Sequence, residues 1–219
     1  MRVLKILSAL VLLLTAAAFV YGFAGYLDAR ADAFRLSARA DRLIAGGRGG
    51  VDLGPRQLAK LLQVEDPGFV DHSGVDLSSA GGGLTTITQS LAKRVGFETF
   101  QPGIAKIRQT GYAIGLEHEL TKQEILALWL DTLEMGQGPD GWMTGFFRAS
   151  NAIYGKAPAD LTEREFLSLV AVLIAPSTYH LGKDDPKLED RVARIERLVA
   201  GSCTPLDNGD VWLEGCRDK

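Results

Sequence analysis

The chain has 219 residues, with 24 Lys and Arg against 27 Asp and Glu, a net charge of −3, three His and two Cys. An apolar fraction of 46% beside 23% charged residues excludes wholesale disorder, and the length leaves room for one main domain rather than two large ones. The acidic balance and the lack of a basic run exclude phosphate neutralisation as a main activity, so no nucleic-acid partner is expected. Two Cys and three scattered His cannot build a thiolate zinc site.

Residues 1–5 carry Arg2 and Lys5, and no charged side chain follows from Ile6 to Leu27. A helix of that length spans roughly 30 Å, the thickness of the hydrocarbon core. Residues 6–27 therefore read as a transmembrane anchor, with residues 1–5 as a cytoplasmic tip under the positive-inside rule. The competing reading is a cleaved signal peptide ending near Ala16 to Ala18. Residues 28–50 read as a helical stalk followed by the linker GGRGG, and residues 51–201 as the exported domain.

Within that domain Pro55 opens a short helix bearing Leu58, Leu61 and Leu62. Residues 66–83 are Gly-, Ser- and Asp-rich and read as loop, and Ile87, Leu91 and Val95 predict a helix over 85–95. Thr121 with Glu124 and Thr162 with Glu165 form two capping boxes. The first opens a helix placed as far as Gly136, the second a buried helix FLSLVAVLIA ending before Pro176. Leu188, Val192, Ile195 and Val199 mark a last amphipathic helix. In the tail, residues 202–219, Asn208-Gly209 signals a hairpin between Cys203 and Cys216. Outside the cytoplasm those two Cys would pair, and the alternative is two free thiols. The fold class is mainly α, with no other strand expected.

Chemistry concentrates in two neighbouring segments. VEDPGFVDHSGVD places Glu65, Asp66, Asp71, His72 and Asp76 in one loop, either as solvated acids or as a proton-transfer site. A carboxylate directly after the apolar Leu61 to Val64 is partly desolvated, which raises its pKa and suits it to proton transfer. GGGLTTITQSLAKR then offers backbone N–H groups, hydroxyls and Lys93 at a helix start, an arrangement that favours anions.

The strings EDPGFVDHSG and TTITQSLAKR, then LEHELTKQEILALWLDTLEMGQG and YGKAPADLTEREFLSLVAVLIAPSTYHL, resemble the peptidoglycan glycosyltransferases of family 51 over about residues 63–198. The resemblance implies a lysozyme-like helical domain behind a membrane anchor, on the periplasmic or extracellular side of the bacterial cytoplasmic membrane. It implies polymerisation of lipid II onto undecaprenyl-pyrophosphate-linked glycan, with Mg²⁺ or Mn²⁺ as the cation and other cell-wall enzymes as partners. By motif position Glu65 is the general base. Asp66, Phe69, His72, Thr85, Thr86, Thr88 and Gln89 belong to the substrate groove, and Lys93 and Lys106 face the diphosphate. Glu117 and Glu165 also match, as helix residues.

Several positions depart from that pattern. The second glutamate of the family's site is Gln109 here, and a motif arginine is Ala105, with Arg108 as its nearest substitute. Ser90, Arg94 and Asp131 stand in place of a glutamine and two asparagines, and the segment from Asp76 to Gly81 is short. An amide at 109 carries no charge and exchanges no proton. The alternative function is accordingly a catalytically impaired relative that binds lipid II or glycan and regulates or scaffolds cell-wall enzymes. Hydrolysis of glycan wants a second carboxylate across the cleft, and Gln109 argues against it.

Overall fold

A computed structural model of the chain describes residues 2–218. It is mainly helical. One continuous helix, α1 (Arg2–Ala45), is followed by α2 (Pro55–Glu65), α3 (Ile87–Val95), α4 (Ala105–Glu119) and α5 (Lys122–Thr132). A small hairpin, β1 (Glu134–Gly138) and β2 (Gly141–Thr144), leads to α6 (Phe146–Tyr154), α7 (Glu163–Val172) and α8 (Pro186–Val199).

The first half of α1 is long and apolar enough to cross a membrane and is unburied by the rest of the chain. Its second half is not a free stalk. Ala29, Ala33, Leu36, Ala40 and Leu43 recur every three or four residues and enter the same core as α4, α5 and α7. The contact with α4 is made by glycines. A Cβ on Gly111 would lie 1.8 Å from the Gly22 carbonyl oxygen, and one on Gly25 would lie 2.2 Å from that of Arg108. Removing side chains there lets the two backbones touch. Polar pairs fix the register: Arg108 with Asp28, Arg30 with Glu119 at 2.7 Å, and Tyr112 donating to Asp32 at 2.6 Å.

The caps read from the sequence are present. Thr121 and Glu124, and Thr162 and Glu165, satisfy one another's backbone N–H groups at the starts of α5 and α7. Asp185 caps α8 through the N–H groups of Lys187 and Leu188. From Phe166 to Val172 every residue of α7 is buried, the helix being the centre of the core.

Two expectations are corrected. Helix α5 stops at Thr132, and Glu134 to Thr144 form an antiparallel hairpin turning through Pro139-Asp140. Gly136 sits in that strand at φ 80°, where a Cβ would strike the Pro176 carbonyl oxygen at 2.4 Å. In the tail, residues 203–216 form no hairpin but an irregular loop ending in a 3₁₀ turn, Glu214–Cys216. The Asp210 carboxylate organises it by accepting the N–H groups of Leu206, Glu214 and Gly215, and that local bonding competes with a strand ladder. Cys203 and Cys216 are disulfide-bonded, with Cα atoms 5.2 Å apart.

Candidate active site

Glu65 is the last residue of α2 and lines a cavity of about 360 Å³. Gly81 to Ile87, Ser90 and Trp129 line it as well, together with Val64, Ile174, Arg191 of α8 and Val211 of the tail. The local sequence explains the placement. Leu61 and Val64 bury the inner face of α2, so the carboxylate emerges beside an apolar surface. Burial raises its pKa to about 7, while Arg191 and then Arg94 pull it back and Asp66 pushes it further up. The group is then near half ionised at neutral pH, the condition a general base needs.

Asp66 does not enter the cavity. It is 2% exposed, and its carboxylate accepts Ile87 N–H at 2.8 Å and His72 Nε2 at 2.9 Å. His72 Nδ1 accepts the N–H of Gly74 at 3.0 Å, so the ring proton is assigned to Nε2 and is donated to Asp66. The pair joins the end of α2 to the start of α3 and so holds Glu65 against the Gly-rich loop. Burial raises the Asp66 carboxyl, against the lowering effect of the Ile87 N–H and His72. Phe69 is core, with Lys122 Nζ 4.5 Å above its ring.

The predicted groove residues separate into two sets. Thr85 and Thr86 line the cavity. The Thr86 hydroxyl also caps α3, accepting Gln89 N–H at 3.1 Å and donating to the Gly74 carbonyl at 2.9 Å. Thr88 is buried and donates to Glu117, which also pairs with Lys122. Gln89 is buried, and its backbone carbonyl accepts Gln109 Nε2 at 2.7 Å. Glu165 caps α7 and binds Lys156 at 2.9 Å.

The cationic residues are largely elsewhere. Lys106 reaches Thr85 Oγ1 at 3.2 Å, at the cavity rim. Lys93 opens onto a second groove of about 450 Å³ with Arg39, Arg94 and Arg148. Arg108 does not substitute for Ala105 at the cavity. Its guanidinium is bound to Asp28 and lies over the Tyr21 ring, on the α1 side of α4. Gln109 is 2% exposed, pinned between α3 and α4 and outside the lining of the cavity; its Oε1 has no partner among the described residues.

Arg191 is the cation that sequence reasoning missed. It is 4% exposed, and its Nε and Nη1 are buried without a partner among the described residues. Its position was a readable signal: 188, 191, 192, 195 and 198 form one buried stripe of α8, and an arginine in an apolar stripe needs an anionic neighbour. Two departures also explain each other. Ser90 accepts Arg94 Nη1 at 2.9 Å one turn away, while Arg94 Nε reaches Thr132 Oγ1 at 3.2 Å. Asp131 pairs with Arg39 at 2.6 Å and ties α5 to α1.

A divalent cation finds no ready protein cage. Among the described residues Glu65 is the one carboxylate lining the cavity and no three His, Cys, Asp or Glu converge, whereas Mg²⁺ and Mn²⁺ favour several oxygen ligands.

The family model described as Transglycosylase matches residues 78–200, beginning after Glu65. Penicillin-binding protein 1F of Bacillus subtilis (strain 168) is 34% identical over 139 residues, 57% of this chain and 19% of its own length. Biosynthetic peptidoglycan transglycosylase of Marinomonas sp. (strain MWYL1) is 32% identical over 151 residues, covering 64% of this chain and 65% of its own. The protein of that name from Rhodospirillum centenum (strain ATCC 51521 / SW) is 27% identical over 219 residues, covering 91% and 90%. The chain spans less than a quarter of the length of the penicillin-binding proteins it matches. A match over more than half of its residues shows that the chain belongs to the transglycosylase family.

Proposed function

We propose that this chain is a peptidoglycan glycosyltransferase that polymerises lipid II, with Glu65 as general base. The carrying observation is one partly desolvated carboxylate, with a pKa of about 7, in the wall of a polar-rimmed cavity. A sugar hydroxyl of the acceptor lipid II placed against Glu65 gives up its proton to the carboxylate. Its oxygen bonds to the anomeric carbon of the growing strand, and the bond from that carbon to undecaprenyl pyrophosphate breaks with inversion. Negative charge thus leaves Glu65 and appears on the diphosphate, where Lys106 at the rim offers a cation. A divalent cation enters this reading with the diphosphate rather than in a protein cage, and no step depends on it. The apolar half of α1 anchors the domain in the bacterial cytoplasmic membrane, on its periplasmic or extracellular side, where a lipid-linked substrate arrives in the bilayer plane.

A second reading, binding of lipid II or glycan without turnover in support of other cell-wall enzymes, is favoured by the uncharged, buried Gln109. Labelled lipid II with Mg²⁺ or Mn²⁺ separates the two. Polymer from the wild type that is lost in Glu65→Gln supports the enzyme. Polymer from Gln109→Glu alone supports the binding protein, and absence of lipid II binding removes both. Gln109→Glu sets an acceptor against the Gln89 carbonyl, so its folding is checked by circular dichroism first.

A further inference from the structure

We propose that the disulfide-closed loop from Cys203 to Cys216 is a working wall of the cavity, and that the Gly-rich rim beside Glu65 is held in place only while that loop is closed. The proposal rests on the reading of this cavity as the substrate site.

The rim residues lean on the tail. Gly81 N–H donates to the Asp207 carbonyl at 2.9 Å, Gly83 N–H to the Asn208 carbonyl at 2.8 Å, and Asn208 Nδ2 to the Ser79 carbonyl at 2.8 Å. Gly81 and Gly83 have φ of 76° and 68°, and a Cβ on them would strike Pro205 at 2.7 Å and Val211 at 2.6 Å. Backbone therefore packs directly on the loop, and Val211 continues into the cavity lining. Among the described residues, the one backbone bond within the rim is that of Gly82 N–H to the Ser79 carbonyl, at 3.3 Å.

On its other side the loop is fastened to α8. Arg194 Nη1 donates to the Trp212 carbonyl at 3.1 Å and to Glu214 at 2.6 Å, and Arg197 Nε donates to the Cys216 carbonyl at 2.6 Å. The same helix carries Arg191 into the cavity. Opening the disulfide removes the covalent closure of the loop and leaves its far side held to α8 by the Arg194 and Arg197 hydrogen bonds alone, so the partner of the three bonds to residues 79–83 is loosened. A dithiol such as dithiothreitol does this stoichiometrically: two electrons and two protons convert the disulfide to two thiols, and the reagent becomes a cyclic disulfide.

Hydrogen exchange on the full chain in detergent tests the proposal, comparing the oxidised protein with the Cys203→Ser/Cys216→Ser double variant. The expected result is exchange at residues 79–86 at least about tenfold faster, with α5 and α7 unchanged, and a similar rise in KM for lipid II at little altered kcat. Unchanged exchange at 79–86 overturns the proposal, whether or not the wild type polymerises lipid II. If α5 and α7 also accelerate, Asn208→Ala decides with the disulfide intact. Faster exchange confined to 79–86 supports the wall, and unchanged exchange there overturns it.

Discussion

Glu65 is held between burial, which favours its neutral form, and two guanidinium groups, which favour its charged form. The charged groups that act on it are Arg191 on α8, Arg94 on α3 and its neighbour Asp66. A base works only when deprotonated, so kcat/KM is expected to rise with pH and level off above about 7. Arg191→Gln removes the stronger of the two lowering influences. It should move that limb to higher pH and leave the plateau largely intact, and a pH–rate profile of both proteins checks it. The same carboxyl has a consequence for stability. Its folded pKa lies above the unfolded value of 4.5, so the folded state holds the proton more tightly. The stability this brings is complete below about pH 4.5 and is lost as pH rises through about 7, at most about 3 kcal/mol. Glu65→Gln should therefore raise Tm relative to the wild type at pH 8 and barely change it at pH 4.5, as measured by calorimetry.

At the scale of elements, the starts of α5 and α7 were legible because capping is local: Thr121 and Thr162 each satisfy N–H groups within three residues, and the Asp185 cap of α8 went unread although it works the same way. The hairpin of 134–144 was not, because MGQGPDGWM lacks β-branched alternation, although Asp140-Gly141 was a turn signal. Helix faces were the harder part of the site. Arg108 and Gln109 are consecutive and so point about 100° apart on α4. One meets Asp28 of α1 and the other Gln89 of α3, and neither lines the cavity that motif order assigned to both. Glu65, Thr85 and Thr86 were readable because they lie at element ends, where neighbours in sequence remain neighbours in space. Asp66 joins two such ends, and Asp66→Ala would strand the buried Ile87 N–H. We expect a loss of about 2–3 kcal/mol in denaturant unfolding. Close helix contact is equally hidden in sequence. Gly111→Ala drives a methyl into the Gly22 carbonyl and should cost about 3 kcal/mol, against little for Ile114→Ala, whose side chain is 42% exposed.

For the whole molecule, the contact of α1 with α4 would set the depth at which the domain meets a bilayer crossed by the apolar half of α1. With residues 6–27 placed across the hydrocarbon, Gly22 lies about 7–8 Å inside its outer edge. Ile107 and Gly111 of α4 lie against that glycine, so on that placement the first turns of α4, with exposed Ile104 and Ile107, would enter the outer leaflet. Arg108 would be drawn from this depth toward the interface by its pair with Asp28. On that placement the domain would be seated in the membrane surface rather than hung from a stalk, and the two views predict different truncations. A chain beginning at Asp28 keeps Ala29, Leu36, Ala40 and Leu43 in the core. It should melt cooperatively by circular dichroism, and its uncovered α4 face should sediment with anionic vesicles. A chain beginning at Val51, the boundary a stalk would allow, removes those residues and leaves Tyr112 and Asp131 without Asp32 and Arg39. It should show no cooperative transition. A cooperative melt from the shorter chain would return α1 to the role of a tether.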